Sequence, residues 1–107
     1  MGKFIYGTPS VSVDFDDRVL AHLRAVIVAK LRRNESFTFS WDYEGAAGEG
    51  HSSVWLNPGI AVQFDFSNGR APRLNKLWLD ELVQLANTPA GLRIVPEPVP
   101  EGASSSS

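Results

Sequence analysis

The sequence predicts an α+β domain in which an antiparallel sheet carries two helices on one face. Apolar residues recur at a spacing of three and four in residues 16–33 and again in residues 74–87, which is typical of amphipathic helices. Apolar and polar residues alternate along residues 37–43 and 60–67, as in strands with one buried face. The predicted order of elements is ββαβββαβ, with both helices packed on the apolar side of the sheet.

Length and composition indicate one small domain inside the cell. The chain has 107 residues, a net charge of −2 and no cysteine. This length suits a single core, and without cysteine there are no disulfides, thiolate nucleophiles or cysteine-ligated zinc sites. No segment approaches the roughly 20 apolar residues needed to span a membrane, so we expect a cytoplasmic protein with no membrane partner. We expect the domain to span residues 1–96, and the Pro- and Ser-rich residues 97–107 to form a disordered tail.

The first part of the chain predicts a hairpin followed by a long helix. Residues 3–6 and 11–15 are β-type runs, and residues 7–10 between them have the composition of a turn. The helix over residues 16–33 buries one apolar stripe, formed by Val19, Leu20, Leu23, Val26, Ile27 and Leu31. Asp14 or Asp16 is predicted to cap this helix, and Asn34 is predicted to end it in a left-handed conformation.

The second part of the chain predicts a meander, a helix and a short closing strand. Residues 35–43, 51–56 and 60–67 are predicted to pair as an antiparallel meander. Its apolar face includes Phe37, Phe39, Trp41, Tyr43 and Phe64. Burying one such ring is worth about 1.5–3 kcal/mol, so we interpret this face as core and not as an exposed stacking platform. Residues 92–95 are predicted to form the closing edge strand.

The second helix is predicted over residues 74–87, with Asn75 as its cap. Its predicted apolar stripe consists of Leu74, Leu77, Trp78, Leu82, Leu85 and Ala86.

The sequence contains no motif for catalysis, metal binding or cofactor binding. His22 and His51 lie on different elements, and neither has a second ligand at metal-binding spacing. We interpret both as solvated or hydrogen-bonded, although His51 beside Ser52 and Ser53 leaves a nucleophile pair open. Acidic residues Asp14, Asp16 and Asp17 are interpreted as helix-capping groups in preference to Mg²⁺ ligands. We therefore predict no catalytic residue, no metal and no cofactor.

Two basic runs are the candidates for contact with DNA. They are Lys30, Arg32 and Arg33 at the end of the first helix, and Arg70, Arg73 and Lys76 at the start of the second. If the fold brings the runs together, six cations can hold a phosphate backbone; the alternative is two solvated helix ends. A separate seam of small apolar residues, Ala21, Ala25 and Val28, is a candidate for homodimer or partner contact.

Five segments carry a resemblance to a known group of proteins. They are MGKFIYG (residues 1–7), FDDRVLAHL (15–23), KLRRNESFTFSW (30–41), VWLNP (54–58) and GLRIVPEP (91–98). These segments resemble small actinobacterial proteins of unknown function that are often labelled "ATP-dependent DNA ligase". The resemblance covers about residues 2–98, and it implies an intracellular protein with DNA or a DNA-repair protein as its partner. It carries over no active-site residue.

The catalytic motif of that label is absent from the sequence. ATP-dependent ligases form a covalent nucleotide intermediate on the lysine of a Lys-x-Asp-Gly motif. Here Lys3, Lys30 and Lys76 are followed by Phe-Ile, Leu-Arg and Leu-Trp. The predicted function is therefore a small binding or accessory module, associated with DNA and without intrinsic catalysis. One alternative is ATP-dependent DNA ligase activity or a ligase-associated subunit, and the other is a homodimeric protein-interaction domain.

Overall fold

The structure, a computed structural model, describes residues 1–45, 48–70 and 72–99. Within these residues the elements are β1 Gly2–Tyr6, β2 Val11–Phe15, α1 Asp17–Arg32, β3 Phe37–Gly45, β4 Gly48–Leu56, β5 Val62–Asp65, α2 Lys76–Ala86 and β6 Leu92–Arg93. The predicted α+β class and the order ββαβββαβ are confirmed. Most of the predicted tail, residues 100–107, lies outside the described residues.

The strands divide between two three-stranded sheets instead of forming one. Sheet A has the order β2-β1-β5, in which β1 pairs antiparallel with both neighbours. Sheet B has the order β4-β3-β6, in which β3 is antiparallel to β4 and parallel to β6. The predicted meander is therefore corrected: β5 leaves β4 and pairs with β1. In this position Phe64 lies directly opposite Phe4, with 5.8 Å between the ring centroids.

The core lies where the aromatic faces of the two sheets meet. The ring of Phe4 in sheet A packs edge-on against Phe39 in sheet B, with centroids 5.4 Å apart. Phe15 and Trp41 make a second edge-on contact at 6.4 Å. The prediction that the aromatic strip is core is confirmed for Phe39 and Trp41, together with Phe37, all of which are buried. Tyr43, at the far end of β3, is half exposed.

The two helices lie side by side and run in the same direction. Arg18 near the start of α1 contacts the carbonyl of Arg73, just before α2. Lys30 near the end of α1 contacts Asn87, just after α2. α1 also packs against β1, and α2 packs against β3 and β6. No helix in the described part of the chain has the length and hydropathy needed to cross a membrane.

The buried stripe of α2 is narrower than predicted. Trp78, Leu82 and Ala86 are buried at successive i, i+4 positions, whereas Leu74 and Leu77 are exposed. Leu74 precedes the helix, which begins only at Lys76, and Leu77 lies within the helix on its exposed side, so the predicted place of both residues in the buried stripe is wrong.

The predicted cap is confirmed for α2, whereas for α1 only the position of the cap, Asp16, is confirmed. The Asn75 side-chain oxygen accepts hydrogen bonds from the amides of Leu77 (3.0 Å) and Trp78 (3.4 Å). Asp16 occupies the N-cap position of α1, but its side chain makes no capping hydrogen bond. Asp14 instead pairs with Lys3 at 2.8 Å across the β1–β2 hairpin. Asp14 therefore stabilises the β1–β2 hairpin and does not cap α1.

The remaining acidic residue of this cluster, Asp17, connects α1 to the segment after β5. Its carboxylate accepts hydrogen bonds from the Ser67 hydroxyl (2.9 Å) and the Asn68 amide (3.0 Å). At the other end of α1, Asn34 has a φ of 61°, which confirms the predicted left-handed ending.

Candidate functional site

His22 is fully buried where α1 meets the start of α2. Its ring lies against Trp78, with centroids 4.5 Å apart. The Asn75 amide donates to Nε2 at 2.7 Å, so the ring proton resides on Nδ1, which donates to the Arg18 carbonyl at 2.7 Å. The prediction of a hydrogen-bonded histidine is confirmed. Both ring nitrogens are engaged within the fold, which leaves neither for a substrate or metal.

An ion pair beside His22 attaches the C-terminal segment to both helices. The Arg18 guanidinium donates to both carboxylate oxygens of Glu97, at 2.7 and 2.5 Å. The Asn75 side-chain amide donates to Glu97 at 2.8 Å and to the Pro98 carbonyl at 3.0 Å. Hydrogen bonds from Arg18 and then Asn75 lower the pKa of Glu97 to about 2. Glu97 and Pro98, which fall in the predicted tail, therefore make specific contacts with the domain.

Lys30, one of the six predicted DNA-contact residues, is buried. It is 8% exposed, and its ammonium donates to Glu35 at 2.7 Å and to Asn87 at 2.5 Å. It also lies 5.6 Å from the ring centroid of Phe37. This cation joins the ends of the two helices to the start of β3, so we remove it from the surface candidates.

The fold does not bring the two basic runs together. Because α1 and α2 are parallel, the first run lies at the C-terminal ends of both helices and the second lies at their N-terminal ends. Arg18 and Lys30 mark these two levels, and the helical rise of about 1.5 Å per residue separates them by about 18 Å. The condition for a six-cation surface is therefore not met, and the exposed cations remain at two separate helix ends: Arg32 with Arg33, and Arg70 with Arg73 and Lys76.

The surface cations differ in their local partners. Arg33 lies 3.2 Å from Glu35, and Lys76 lies 3.3 Å from Asp80. Both side chains are mostly exposed, so these pairs are weak and do not prevent contact with a ligand. Arg32, Arg70 and Arg73 are exposed as well.

The predicted seam for partner contact is not a continuous surface. Ala21 is buried, Ala25 is half-buried and Val28 is exposed. The prediction that Ala21 belongs to an exposed contact surface is wrong, because Ala21 faces the interior of the domain. The position of Ala21 next to buried His22 shows that the buried side of α1 is wider than the stripe read from the sequence.

The outward face of sheet B is polar. Ser40 and Ser53 lie opposite each other, with 2.8 Å between their hydroxyl oxygens. His51 lies opposite Asp42, and no hydrogen bond within the described chain joins His51 to a serine. The open alternative of a His–Ser nucleophile pair therefore has no support in the geometry. Within the same described ranges, no three His, Asp or Glu side chains are grouped closely enough to share a metal ion.

Trp55 on this outward face is an exposed aromatic residue that sequence reasoning missed. It lies opposite Thr38 and is 59% exposed. It borders an open cleft of 420 Å³, the Trp55 cleft, which is also lined by Lys30, Glu35, Ser36, Phe37, Thr38, Ala86, Asn87, Thr88 and Pro89. The alternation of side chains along a strand could have revealed this exposure. In β4 the side chains of Val54 and Leu56 point inward, so that of Trp55 between them points outward.

A second open cleft lies beside the edge of β3. We call it the β3 edge cleft; its volume is 770 Å³, and it is lined by residues 13–15, 40–43 and 93–96 together with His51. β6 pairs only with Phe39 and Ser40. Beyond Ser40, therefore, this edge of β3 has no strand partner among the described residues. Sequence periodicity gave no sign of the cleft because it arises from the short length of β6.

These features define the class of protein as a two-sheet α+β domain. Its buried polar groups stabilise the fold, and its surface has open clefts, among them the Trp55 cleft and the β3 edge cleft. The chain belongs to the family described as "Domain of unknown function (DUF7882)", which matches residues 1–97. The matched region ends at Glu97, the residue whose carboxylate binds Arg18. No curated protein and no solved structure matches the chain.

Proposed function

We propose that this domain is a non-catalytic binding module that holds a single-stranded nucleic acid segment at the Trp55 cleft. The observation that carries the proposal is the exposed indole of Trp55 at the same end of the molecule as the basic end of α1. Every nucleobase has an aromatic face, and stacking on a protein ring contributes about 1–3 kcal/mol per base. The buried strip of β3 cannot serve this role, whereas Trp55 can.

The charges around the cleft favour an anionic chain. The exposed Arg33 pairs with Glu35, which lines the cleft, and the buried Lys30 lies in the cleft wall. Glu35 is the one carboxylate among the described lining residues, and it is paired with Lys30 and Arg33. Two cations thus pair with one carboxylate, which leaves a local positive excess, and Arg33 is the one whose side chain is exposed to phosphates.

The groups around Trp55 favour a single strand over a duplex. A base can stack on an indole only when it is unstacked from its neighbours, which a single strand allows. The hydroxyls of Ser36 and Thr38 and the amide of Asn87 line the same cleft and are of the kinds that hydrogen-bond to base edges.

Fluorescence anisotropy with a labelled 12-nucleotide oligothymidine, measured across a salt series, tests the proposal. We expect affinity to fall with salt, and Arg33→Ala to reduce the magnitude of the salt slope by about 0.7, the contribution of one phosphate contact on a single strand. Trp55→Ala should weaken binding at least about fivefold. Binding should also quench tryptophan fluorescence, because Trp55 is exposed while Trp41 and Trp78 are buried.

Tyr43→Ala is the matched control, since Tyr43 is a half-exposed aromatic at the other end of β3. It should leave the affinity unchanged. Equal losses in the Trp55 and Tyr43 variants, or no salt-dependent binding at all, would refute the proposal. Lys30 should not be mutated in this assay because its substitution perturbs the fold.

A second candidate is duplex DNA at the other basic group, favoured by the exposure of Arg70, Arg73 and Lys76 before and at the start of α2. A labelled duplex tests it in the same assay. If this candidate holds, the triple alanine variant of these residues loses duplex binding and keeps oligothymidine binding.

Ligase activity and homodimer formation remain the rival functions. Incubation with labelled ATP tests the first, and we expect no denaturation-resistant label because no lysine stands in a Lys-x-Asp-Gly context. Sedimentation with and without Val28→Asp tests the second. A dimer that this substitution dissociates would make the exposed side of α1 the functional surface.

A further inference from the structure

The edge of β3 is open where β6 ends. β3 spans Phe37–Gly45, yet β6 covers only Phe39 and Ser40 on that side. Among the described residues, the main chain at residues 41–43 faces no strand across this edge. An uncovered strand edge presents N–H and C=O groups in the spacing that another extended chain requires.

The β3 edge cleft has the shape that such a chain needs. One wall is the end of β2, residues 13–15, and the other is the segment after β6, residues 94–96. Its lining includes the nearly buried rings of Phe15 and Trp41. An added strand would lie about 4.8 Å from β3, in line with β6, and would advance about 3.3 Å per residue.

The charged side chains that line the β3 edge cleft indicate which charge the bound segment should have. Asp42 is exposed on the outward face of β3, and it makes no ion pair or hydrogen bond within the part of the chain that the structure describes. Asp14, the other carboxylate of the lining, is already paired with Lys3. Arg93, the exposed cation of the lining, lies opposite Ser40 and makes no ion pair with Asp42 among the described residues. A cationic side chain facing Asp42 would complement the unpaired carboxylate.

We propose that the β3 edge cleft binds an extended polypeptide segment of a partner protein, which pairs with β3 beyond β6 and places a lysine or arginine opposite Asp42. Main-chain hydrogen bonds supply the affinity in this mode of recognition, and the side chain opposite Asp42 supplies selectivity. The proposal is independent of nucleic acid binding because the Trp55 cleft shares no lining residue with this one.

The test uses the full chain and fluorescent eight-residue peptides of alternating valine and threonine, with one lysine scanned through the positions. We expect one lysine position to bind best. Methylation of alternate peptide amides, in the phase that faces β3, should weaken binding at least tenfold by removing main-chain donors. Asp42→Lys should weaken binding of the lysine peptide about fivefold, as expected for an exposed charge pair. The same substitution should strengthen binding of a peptide that has glutamate in place of the lysine.

Asp80→Lys is the matched control, because Asp80 is an exposed carboxylate on α2 and the charge change is identical. It should not alter peptide affinity, and neither should Trp55→Ala. No binding by any peptide, equal binding of the methylated peptides, or equal losses in the Asp42 and Asp80 variants would overturn the proposal. Concentration-dependent self-association that Asp42→Lys abolishes would overturn it in favour of a second copy of the chain.

Discussion

His22 and Lys30 are the two polar side chains buried within the described residues, and both are fully engaged. No buried side-chain nitrogen or oxygen atom in those residues lacks a hydrogen-bond partner. An unpaired buried polar group costs about 1–3 kcal/mol, so each of these bonds matters for folding. His22 and Lys30, whose chemistry suggests catalysis or phosphate binding, are thus structural, and the residues that we propose for recognition, Trp55 and Asp42, have exposed side chains.

Replacement of His22 with alanine should lower the free energy of unfolding by about 2–4 kcal/mol. The substitution leaves the Asn75 amide without its acceptor and removes the ring packed against Trp78. Urea denaturation measures the change. His51→Ala, at an exposed position, should change stability by less than about 0.5 kcal/mol. Similar effects of the two substitutions would contradict the structural role of His22.

Glu97 should make stability depend on pH in the acid range. Hydrogen bonds from Arg18 and Asn75 lower its pKa from 4.5 to about 2 in the folded protein. Because the folded pKa is the lower one, the stabilisation is fully present above pH 4.5 and is lost as the pH falls towards 2. Glu97→Gln should therefore be less stable than the native chain at pH 6, and the difference should shrink by pH 2.5. Thermal unfolding at both pH values measures it; a constant difference would show that the ion pair is not formed.

At the scale of elements, β3 is the strand on which the fold depends. It pairs with β4 on one side and β6 on the other, and its inward face supplies Phe37, Phe39 and Trp41 to the core. The turn from α2 into β6 brings Gly91 against the β3 backbone. Gly91 has a φ of +87°, and a Cβ there would lie 2.8 Å from the Thr38 Cβ and closer still to the Thr38 carbonyl oxygen.

Gly91→Ala should therefore destabilise the domain by at least about 2 kcal/mol, through both the left-handed backbone and the collision with β3. Gly69→Ala is the control, since a Cβ at Gly69 meets nothing within 4 Å. Urea midpoints of the two variants give the comparison. A Gly91 variant as stable as the Gly69 variant would mean that β6 does not approach β3 as closely as the structure shows.

At the scale of the whole molecule, the two sheets share a single core and should unfold together. Phe39 is fully buried and lies within 5.2–6.1 Å of the rings of Phe4, Phe15 and Trp41, which come from both sheets. The buried residues of both sheets form one cluster in the described part of the chain, so we expect neither sheet to remain folded without the other.

Phe39→Ala should lower the free energy of unfolding by about 3–5 kcal/mol. The unfolding transitions followed by tryptophan fluorescence and by far-UV circular dichroism should remain coincident. Phe39→Leu gives a milder loss if the alanine variant does not fold. Tyr43→Ala, at a half-exposed site on the same strand, should have a small effect. Separate transitions for the two signals would show that the sheets unfold independently.

The sequence alone determined the α+β class, the order of elements, the inward phase of Phe37, Phe39 and Trp41, and the Asn75 cap, because these depend on local periodicity and turn chemistry. Only the tertiary structure decided which strands pair, how far apart the basic runs lie, that Lys30 is buried, and that the edge of β3 is open. Those outcomes depend on contacts between residues far apart in the chain, such as Arg18 with Glu97 and Phe4 with Phe64. Periodicity identifies the buried face of an element, but it carries no information about the neighbour that covers that face.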